Sequence, residues 1–396
     1  MTQAATRSFG AEIRLISVIL FVVDFVRGAI LVSFLPIFGE KTLGLPLHII
    51  GIAITAHYFT DTVVRIAIGY LMDRFGVRRI VQAGLVICLA GVLMFQFATL
   101  PWVFITASAL YGIGVSPIWI MCLTKVTEEK RATQMGYLYT IWMVGLGAGP
   151  IVCNILLDYS TSFTYYLLLG MSLIACILSI WIVESRSSAV AVIPIKEQLV
   201  VLRERLGKMK LLLPGMILQT TGASMLVPIL PSLATNQFGF SGAQYSILLT
   251  TGGLFAVAGL MPMGRLSDKL GGKKWFLVLG FSSFSIALYA LALGLKFWEC
   301  LLIASALGLS YSAILPAWNA LLAAYVPPKQ EGLGWGILST VEGIGVMIGP
   351  LAGGFLASWH TESLVVWVSA VLFGVIGLFY LWFPFPEDRS GGRTPR

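Results

Sequence analysis

Residues 57–79 read HYFTDTVVRIAIGYLMDRFGVRR, and two features in this stretch decide the fold. Asp61 and Arg65 stand four apart, one helical turn, inside an apolar run. Beyond them Gly69, Asp73, Arg74, Gly76, Arg78 and Arg79 form the pattern G-x3-D-R-x-G-x-R-R. The pattern recurs 195 residues later, in GGLFAVAGLMPMGRLSDKLGGKK (252–274), as Gly264, Asp268, Lys269, Gly271, Lys273 and Lys274. The chain therefore reads as a duplication. At the same offset Asp61 corresponds to Ala256 and Arg65 to Leu260, so the signature stands in both halves and the charges within the apolar run stand in one.

Composition sets the class. The chain is 58% apolar and 11% charged, with a mean hydropathy of +0.90, far from the roughly 25% charged residues of soluble domains. A membrane-spanning helix needs about 20 mostly apolar residues, and the sequence holds about twelve such runs joined by short polar turns. The net charge of +8 could suggest nucleic acid, but the 26 Lys and Arg form no patch: 22 fall in tails and loops on one side, Lys41 and Lys296 on the other, and Arg27 and Arg65 within the runs. The positive-inside rule accounts for that split and places both termini in the cytoplasm. Cys88, Cys122, Cys153, Cys176 and Cys300 lie in or beside apolar runs without a C-x-x-C and read as packing residues. His48, His57 and His360 are too far apart to suggest a metal site. No cofactor is expected; the driving force would be a proton gradient. The first apolar run is long enough to span and has no small-residue cleavage site, so a retained helix is expected rather than a signal peptide.

The expected organisation is an all-α membrane protein with six helices near residues 15–38, 47–71, 78–98, 102–125, 132–157 and 163–183, forming an N-terminal bundle over 1–183. A basic linker follows at 184–210, in which Ile195, Leu199, Leu202 and Leu206 share one helical face. A surface helix or a plain tether are both open there. The C-terminal bundle, 211–396, repeats the plan near 211–236, 243–266, 274–294, 298–326, 332–358 and 362–384 and ends in a polar tail. Further echoes link the halves: Pro36 and Pro231, Pro117 and Pro316, Trp119 and Trp318, and Gly145, Gly149 and Pro150 with Gly345, Gly349 and Pro350.

Two six-helix halves with paired signatures resemble the major facilitator superfamily of transporters along the whole chain. The resemblance implies alternating access, two bundles rocking about a site near the bilayer midplane. It also implies gating roles for Gly69, Asp73, Arg74, Gly264, Asp268 and Lys269, with Asp73 near the cytoplasmic start of the eleventh helix, where the positive end of the helix dipole favours a carboxylate. Asp73 and Asp268 read either as latches of one conformational state or as markers of topology. Pro150 and Pro350 complete the expected gating set.

At 1.5 Å rise per residue, Asp24 and Asp61 each lie roughly 15 Å deep, near the midplane. Arg27 follows Asp24 at i+3 and Arg65 follows Asp61 at i+4, so each acid has a basic neighbour on its own helix face and the four can be neutral together. Burying charge in lipid costs a few kcal/mol per group, and buried ion pairs are a poor source of stability. A static cluster locking two helices is one reading. The other is proton coupling: low dielectric favours the neutral carboxyl and a nearby guanidinium the charged one, so movement of Asp24 or Asp61 relative to Arg27 or Arg65 would load or release a proton. In the second half Asp24 corresponds to Gln219, Arg27 to Gly222 and Trp142 to Glu342, the one acid expected to be buried there. Glu342 reads as a second proton site or as a hydrogen-bonded packing residue. A polar N-half facing a mostly apolar C-half suits an amphiphile. Trp119 and Trp142 could stack on a sugar ring, with Tyr137 and Tyr139 adding hydroxyls, or could serve packing and interface anchoring.

A narrower resemblance rests on DFVRG (24–28), HYFTD (57–61), VSPIW (115–119), EEKRATQMGYLY (128–139), PGMILQ (214–219), LVPILP (226–231), LPAWN (315–319) and MIGP (347–350). These segments are similar to those of the glycolipid flippases that supply the lipoteichoic acid anchor in Gram-positive bacteria. The resemblance implies a proton-coupled antiporter that flips a diglucosyl-diacylglycerol, its sugar held by the N-half and its acyl chains by the C-half. Asp24, Arg27, Asp61, Trp119 and Trp142 would carry the site, and Gln219, Trp318 and Asn319 are further candidate substrate contacts. Two departures are Asp24, where the family carries Glu, and Glu342, where it carries a neutral residue. The partners expected are an amphiphilic substrate, protons and membrane lipid, without nucleic acid, on a monomer.

A proton-driven multidrug exporter is the runner-up, because Gly145 to Pro150 and Gly345 to Pro350 resemble an antiporter motif; against it, the fourth helix has no Arg in its membrane part. An intramembrane enzyme lacks support: the chain has no H-E-x-x-H and no G-x-S-x-G. A non-transporting sensor would be expected to carry a large soluble domain.

Overall fold

The computed structural model describes residues 2–124, 131–183, 212–270, 273–293, 296–323 and 331–382; the linker expected at 184–210 and the tail lie outside the described residues. In lipid every backbone N–H and C=O must be paired within the segment, and the apolar runs accordingly fold as helices. They are α1 (Thr2–Gly28), α2 (Leu47–Phe75), α3 (Val77–Met94), α4 (Pro101–Thr124), α5 (Arg131–Tyr159) and α6 (Thr161–Leu178) in the first half. The second half holds α7 (Leu213–Ser224), α8 (Gly242–Leu270), α9 (Lys273–Leu291), α10 (Phe297–Ala323), α11 (Glu331–Trp359) and α12 (Glu362–Trp382). Among the described residues, 11 helices are long and apolar enough to cross a membrane. The segment that falls short is α7.

The halves repeat each other in packing. Helix α1 lies on α5 as α7 lies on α11, α2 on α4 as α8 on α10, and α3 on α6 as α9 on α12. The halves meet through α2 against α11 and α5 against α8. The repeat extends to single backbone hydrogen bonds. Both α1 and α7 continue into a final π-helical turn, Phe38–Thr42 and Leu233–Gln237. Leu45 N–H then donates to Gly39 O as Phe240 N–H donates to Ala234 O, each at 2.8 Å. The turns that follow need a left-handed residue, supplied by Gly44 (φ +63°) and Gly239 (φ +69°). In the signature, Gly76 ends α2 at φ +92°, its N–H on Met72 O at 2.8 Å, which explains a glycine there.

One expected element differs. A continuous helix was expected over 211–236, whereas α7 stops at Ser224, passes through a turn at residues 225–229 and resumes as Leu230–Ser232. Pro228 is the reason: it has no N–H to continue the ladder and its ring clashes with the preceding turn. The corresponding residue of α1 is Ser33, and α1 runs on through the π-helical Ala29–Phe34.

Small residues set the helix spacing. A Cβ on Gly149 would lie 2.7 Å from Ala29 N and closer still to Phe25 O, and one on Gly28 would strike Leu146 O. Leu146 is the residue whose carbonyl loses its helical partner to Pro150, so α1 and α5 touch backbone to backbone where the proline leaves a bare oxygen. Gly345 and Gly349 bring α11 as close to α7, and Gly353 brings it against Met225 in the turn that follows. The repeated G-x3-G-P pattern thus has a packing role. Gly149→Ala is expected to destabilise by about 1–3 kcal/mol through overpacking. Gly147→Ala, where an added Cβ meets nothing within 4 Å, should leave the melting temperature in detergent unchanged or raise it. A Gly149→Ala protein that melts at or above the parent would contradict the close approach.

Candidate functional site

The charged residues of the first half converge between α1, α2 and α4. On α2, His57, Tyr58, Asp61 and Arg65 follow at helical spacing, so they share a side of the helix. Gly112 lets α4 close on that side, since a Cβ there would strike His57 O and Thr60 Oγ1. Thr60 Oγ1 donates to Ala109 O at 2.9 Å across the same contact. The result is a buried carboxylate with a full set of donors. Asp61 Oδ2 accepts from Arg27 Nη2 at 2.9 Å and Arg65 Nη2 at 2.7 Å; Oδ1 accepts from Arg65 Nε at 3.2 Å and Ser116 Oγ at 2.7 Å. The Asp61 side chain is 3% exposed, that of Arg27 15% and that of Arg65 40%, so the cluster opens on the Arg65 side. The Arg27 guanidinium also lies 5.9 Å from the centre of the Tyr58 ring. Tyr111 supports the group from α4: its ring stacks on buried His57 at 5.7 Å and its hydroxyl donates to Val23 O on α1.

This corrects the pairing expected from spacing. Arg27 does not bind Asp24, three residues before it on α1; it crosses to Asp61 on α2, which holds both arginines. The reason is direction along the helix. Asp24 is short and lies beside α5, where a Cβ on Gly145 would come within 3.3 Å of its own Cβ, whereas the longer Arg27 reaches α2. Among the described residues Asp24 makes no hydrogen bond or ion pair, although it is 4% exposed. Asp61, surrounded by donors alone, fits the ionised carboxylate, which only accepts. The cluster is neutral when Asp24 is ionised and carries one positive charge when Asp24 holds a proton.

Trp119 on α4 and Trp142 on α5, both partly buried, lie with ring centres 6.5 Å apart and planes at 55°. Tyr137 on α5 is 48% exposed. In the second half Trp318 is 2% exposed, packs edge-on against Tyr380 at 5.9 Å and donates its indole N–H to Glu342 Oε1 at 2.9 Å. Asn319 is exposed, and Gln219 Oε1 is buried without a hydrogen-bond partner among the described residues. The structure thus joins Trp318 to Glu342 and does not place either with the N-half cluster. Of the gating residues, Gly69, Asp73 and Asp268 lie outside the residues whose side chains are described. Arg74 is exposed with its guanidinium 5.3 Å from the Phe75 ring, and Lys269 is exposed. A Cβ on Gly264 would meet Pro316 at an ordinary 3.7 Å. Pro150 O accepts from Ser33 Oγ at 3.3 Å, and Pro350 O lies against Gly51 of the other half. Sequence reasoning missed Ser116, Tyr58 and Tyr111. Ser116 stands within VSPIW, but membrane serines commonly bond their own helix, so its link to Asp61 had no signature.

The Major Facilitator Superfamily model matches residues 16–214 and again 212–396. The chain is 32% identical over 368 residues to a Staphylococcus saprophyticus protein named proton-coupled antiporter flippase LtaA, covering 92% of each chain. It is 31% identical over 371 residues to the protein of that name from Staphylococcus aureus strain N315, covering 92% of this chain and 93% of the relative. The crystal structure of the nucleoside transporter NupG superposes with a TM-score of 0.77 at 12% identity, over 93% of this chain and 98% of that one, a likeness of fold.

The geometry separates the two acids. Asp61→Asn removes the carboxylate that neutralises two guanidiniums, and breaking a buried pair costs about 3–5 kcal/mol. Ser116→Ala should cost about 1.5–3 kcal/mol, as for a hydrogen bond to a charged group. Asp24→Asn should unfold near the parent temperature. Thermal unfolding in one detergent checks all three, and Asp24→Asn as the least stable of them would contradict the pairing described.

Proposed function

The chain belongs to the Major Facilitator Superfamily of transporters, and on that premise we propose that it is a proton-coupled antiporter that flips a glycolipid of the diglucosyl-diacylglycerol class across the membrane. The observation that carries this reading is the asymmetry between halves. The buried charges and the Trp119–Trp142 pair belong to the first half. The matching helix of the second half, α8, has no buried side chain from Ile247 to Ala258 and exposes Leu254, Phe255, Val257 and Met261. A polar half joined to an apolar one suits a molecule with a sugar head and acyl chains, and it suits a soluble sugar poorly. The names of the relatives agree with it.

In this reading Asp24 carries the proton and Asp61 anchors the two arginines. A protonated Asp24 leaves the cluster with one positive charge; an ionised Asp24 restores neutrality. A sugar headgroup that takes hydrogen bonds from Arg65, the more exposed guanidinium, alters the field at Asp24, so that substrate and proton compete. Trp119 and Trp142 present ring faces to the sugar, and the broken α7 supplies the irregular backbone common at transporter sites. In the same reading both termini are cytoplasmic, in keeping with the loop charges, and the glycolipid moves outward against incoming protons.

The test is flipping of a fluorescent diglucosyl-diacylglycerol in proteoliposomes, read by surface quenching with and without a pH gradient, beside a cationic dye. The expected result is gradient-accelerated flipping without dye transport, lost in Asp24→Asn and weakened about tenfold in Trp119→Ala, one stacking contact being worth on the order of 1.4 kcal/mol. Dye movement without glycolipid flipping would replace the reading with that of a drug exporter. Undiminished gradient response in Asp24→Asn would remove the proton assignment.

A further inference from the structure

At the end of the bundle away from the signature loops the halves are tied together by hydrogen bonds. Asp158 of α5 accepts from the N–H groups of Gly242 and Ala243 at the start of α8, each at 2.9 Å. Ser358 of α11 accepts from His48 N–H of α2 at 2.8 Å. The third tie joins the π-helical ends of α1 and α7. Glu40 Oε1 lies 3.0 Å from Ser232 Oγ and accepts from Asn236 Nδ2 at 2.9 Å. Ser232 Oγ lies 2.8 Å from a second carboxyl, Glu362 Oε1 at the start of α12.

Counting hydrogens gives this tie a meaning. Thr235 Oγ1 has its one hydrogen within reach of Pro231 O at 3.0 Å as well as Asn236 Oδ1 at 3.2 Å, so it is the carboxyl oxygen of Glu40, 2.9 Å away, that holds the Asn236 amide nitrogen toward it, with the second amide hydrogen on Ser232 Oγ at 3.2 Å. Ser232 Oγ therefore accepts from Asn236 and has one hydrogen of its own to donate. A serine hydroxyl cannot donate to two carboxylates at once. With both glutamates ionised, one of the two oxygen contacts would hold no hydrogen and two negative charges would face a single hydroxyl that is 1% exposed. With one proton on the pair every contact is satisfied: one carboxylate accepts from Ser232, and the other carboxyl donates to it.

We infer that Glu40 and Glu362 form a proton-binding site that bridges the two halves through Ser232 and locks this end of the transporter shut. The site is separate from the midplane cluster and needs no substrate. The other titratable groups of the adjoining turns are Lys41, exposed beside Glu40, His48, tied to Ser358, and the exposed His360. Protonation closes the lock and proton loss opens it, because the paired charges then repel across the joint. If the end lies outside, as the loop charges indicate, an acidic exterior favours closure after the substrate has left.

Spin labels on Tyr159→Cys and Trp359→Cys, exposed positions at this end in opposite halves, report the closure in nanodiscs without substrate, with the native cysteines replaced. Above the titration of the pair, the closed-to-open ratio is expected to fall about tenfold per pH unit, the linkage for one proton. Glu362→Gln and Glu40→Gln each supply an amide that donates to Ser232 at every pH, so both should stay closed under alkaline conditions. Ser232→Ala should lose the pH response and open. Asp24→Asn should keep it. A closure that ignores pH in the parent, or one that responds unchanged in both glutamine variants and in Ser232→Ala, would overturn the inference. Either result leaves glycolipid flipping open, since no substrate is present.

Discussion

A carboxylate inside a membrane must find its counter-charge among neighbouring side chains, and in this chain Asp61 does so between two guanidiniums. Much of the N-half is arranged to permit that. Gly112 lets α4 approach α2, placing Ser116 Oγ on the same carboxylate, and Gly28, Gly145 and Gly149 let α5 approach α1 beside Asp24. Pairing satisfies Asp61 and leaves Asp24 as the acid without a partner among the described residues. Buried ion pairs add little stability relative to apolar packing, so the cluster is better understood as an arrangement with two charge states than as a fastening.

Much of the fold was legible in the sequence because duplication is a strong signal. The paired signatures at Asp73 and Asp268 gave the offset, and the same offset reappears in the left-handed Gly44 and Gly239 and in the π-turns before them. The break in α7 was less legible. LVPILP carries two prolines, and nothing in the local pattern distinguishes a proline that a spanning helix tolerates from one that ends it. Pro117, Pro150, Pro316 and Pro350 all sit inside continuous helices, whereas Pro228 lies in a turn.

At the site, sequence depth brought Asp24, Arg27, Asp61 and Arg65 together, and spacing paired Asp61 with Arg65 as the structure does but set Arg27 beside Asp24, which it does not bind. An i+3 relation states which residues share a helix face; it does not state which neighbouring helix offers the better partner, and Arg27 is long enough to reach across. The same limit hid Glu40, Ser232 and Glu362, three residues from three helices with no common motif. Their meeting depends on how the chain leaves α1 and α7 and enters α12, a matter of tertiary packing.

In the proposed mechanism Asp24 exchanges a proton when the headgroup arrives. The direct measurement is the pH change on adding diglucosyl-diacylglycerol to the purified protein in weakly buffered detergent. The parent chain is expected to release about one proton per binding event, through the linkage of substrate to protonation, and Asp24→Asn none with the headgroup still bound. Equal release by both proteins, or headgroup binding by the parent with no proton released, would contradict it.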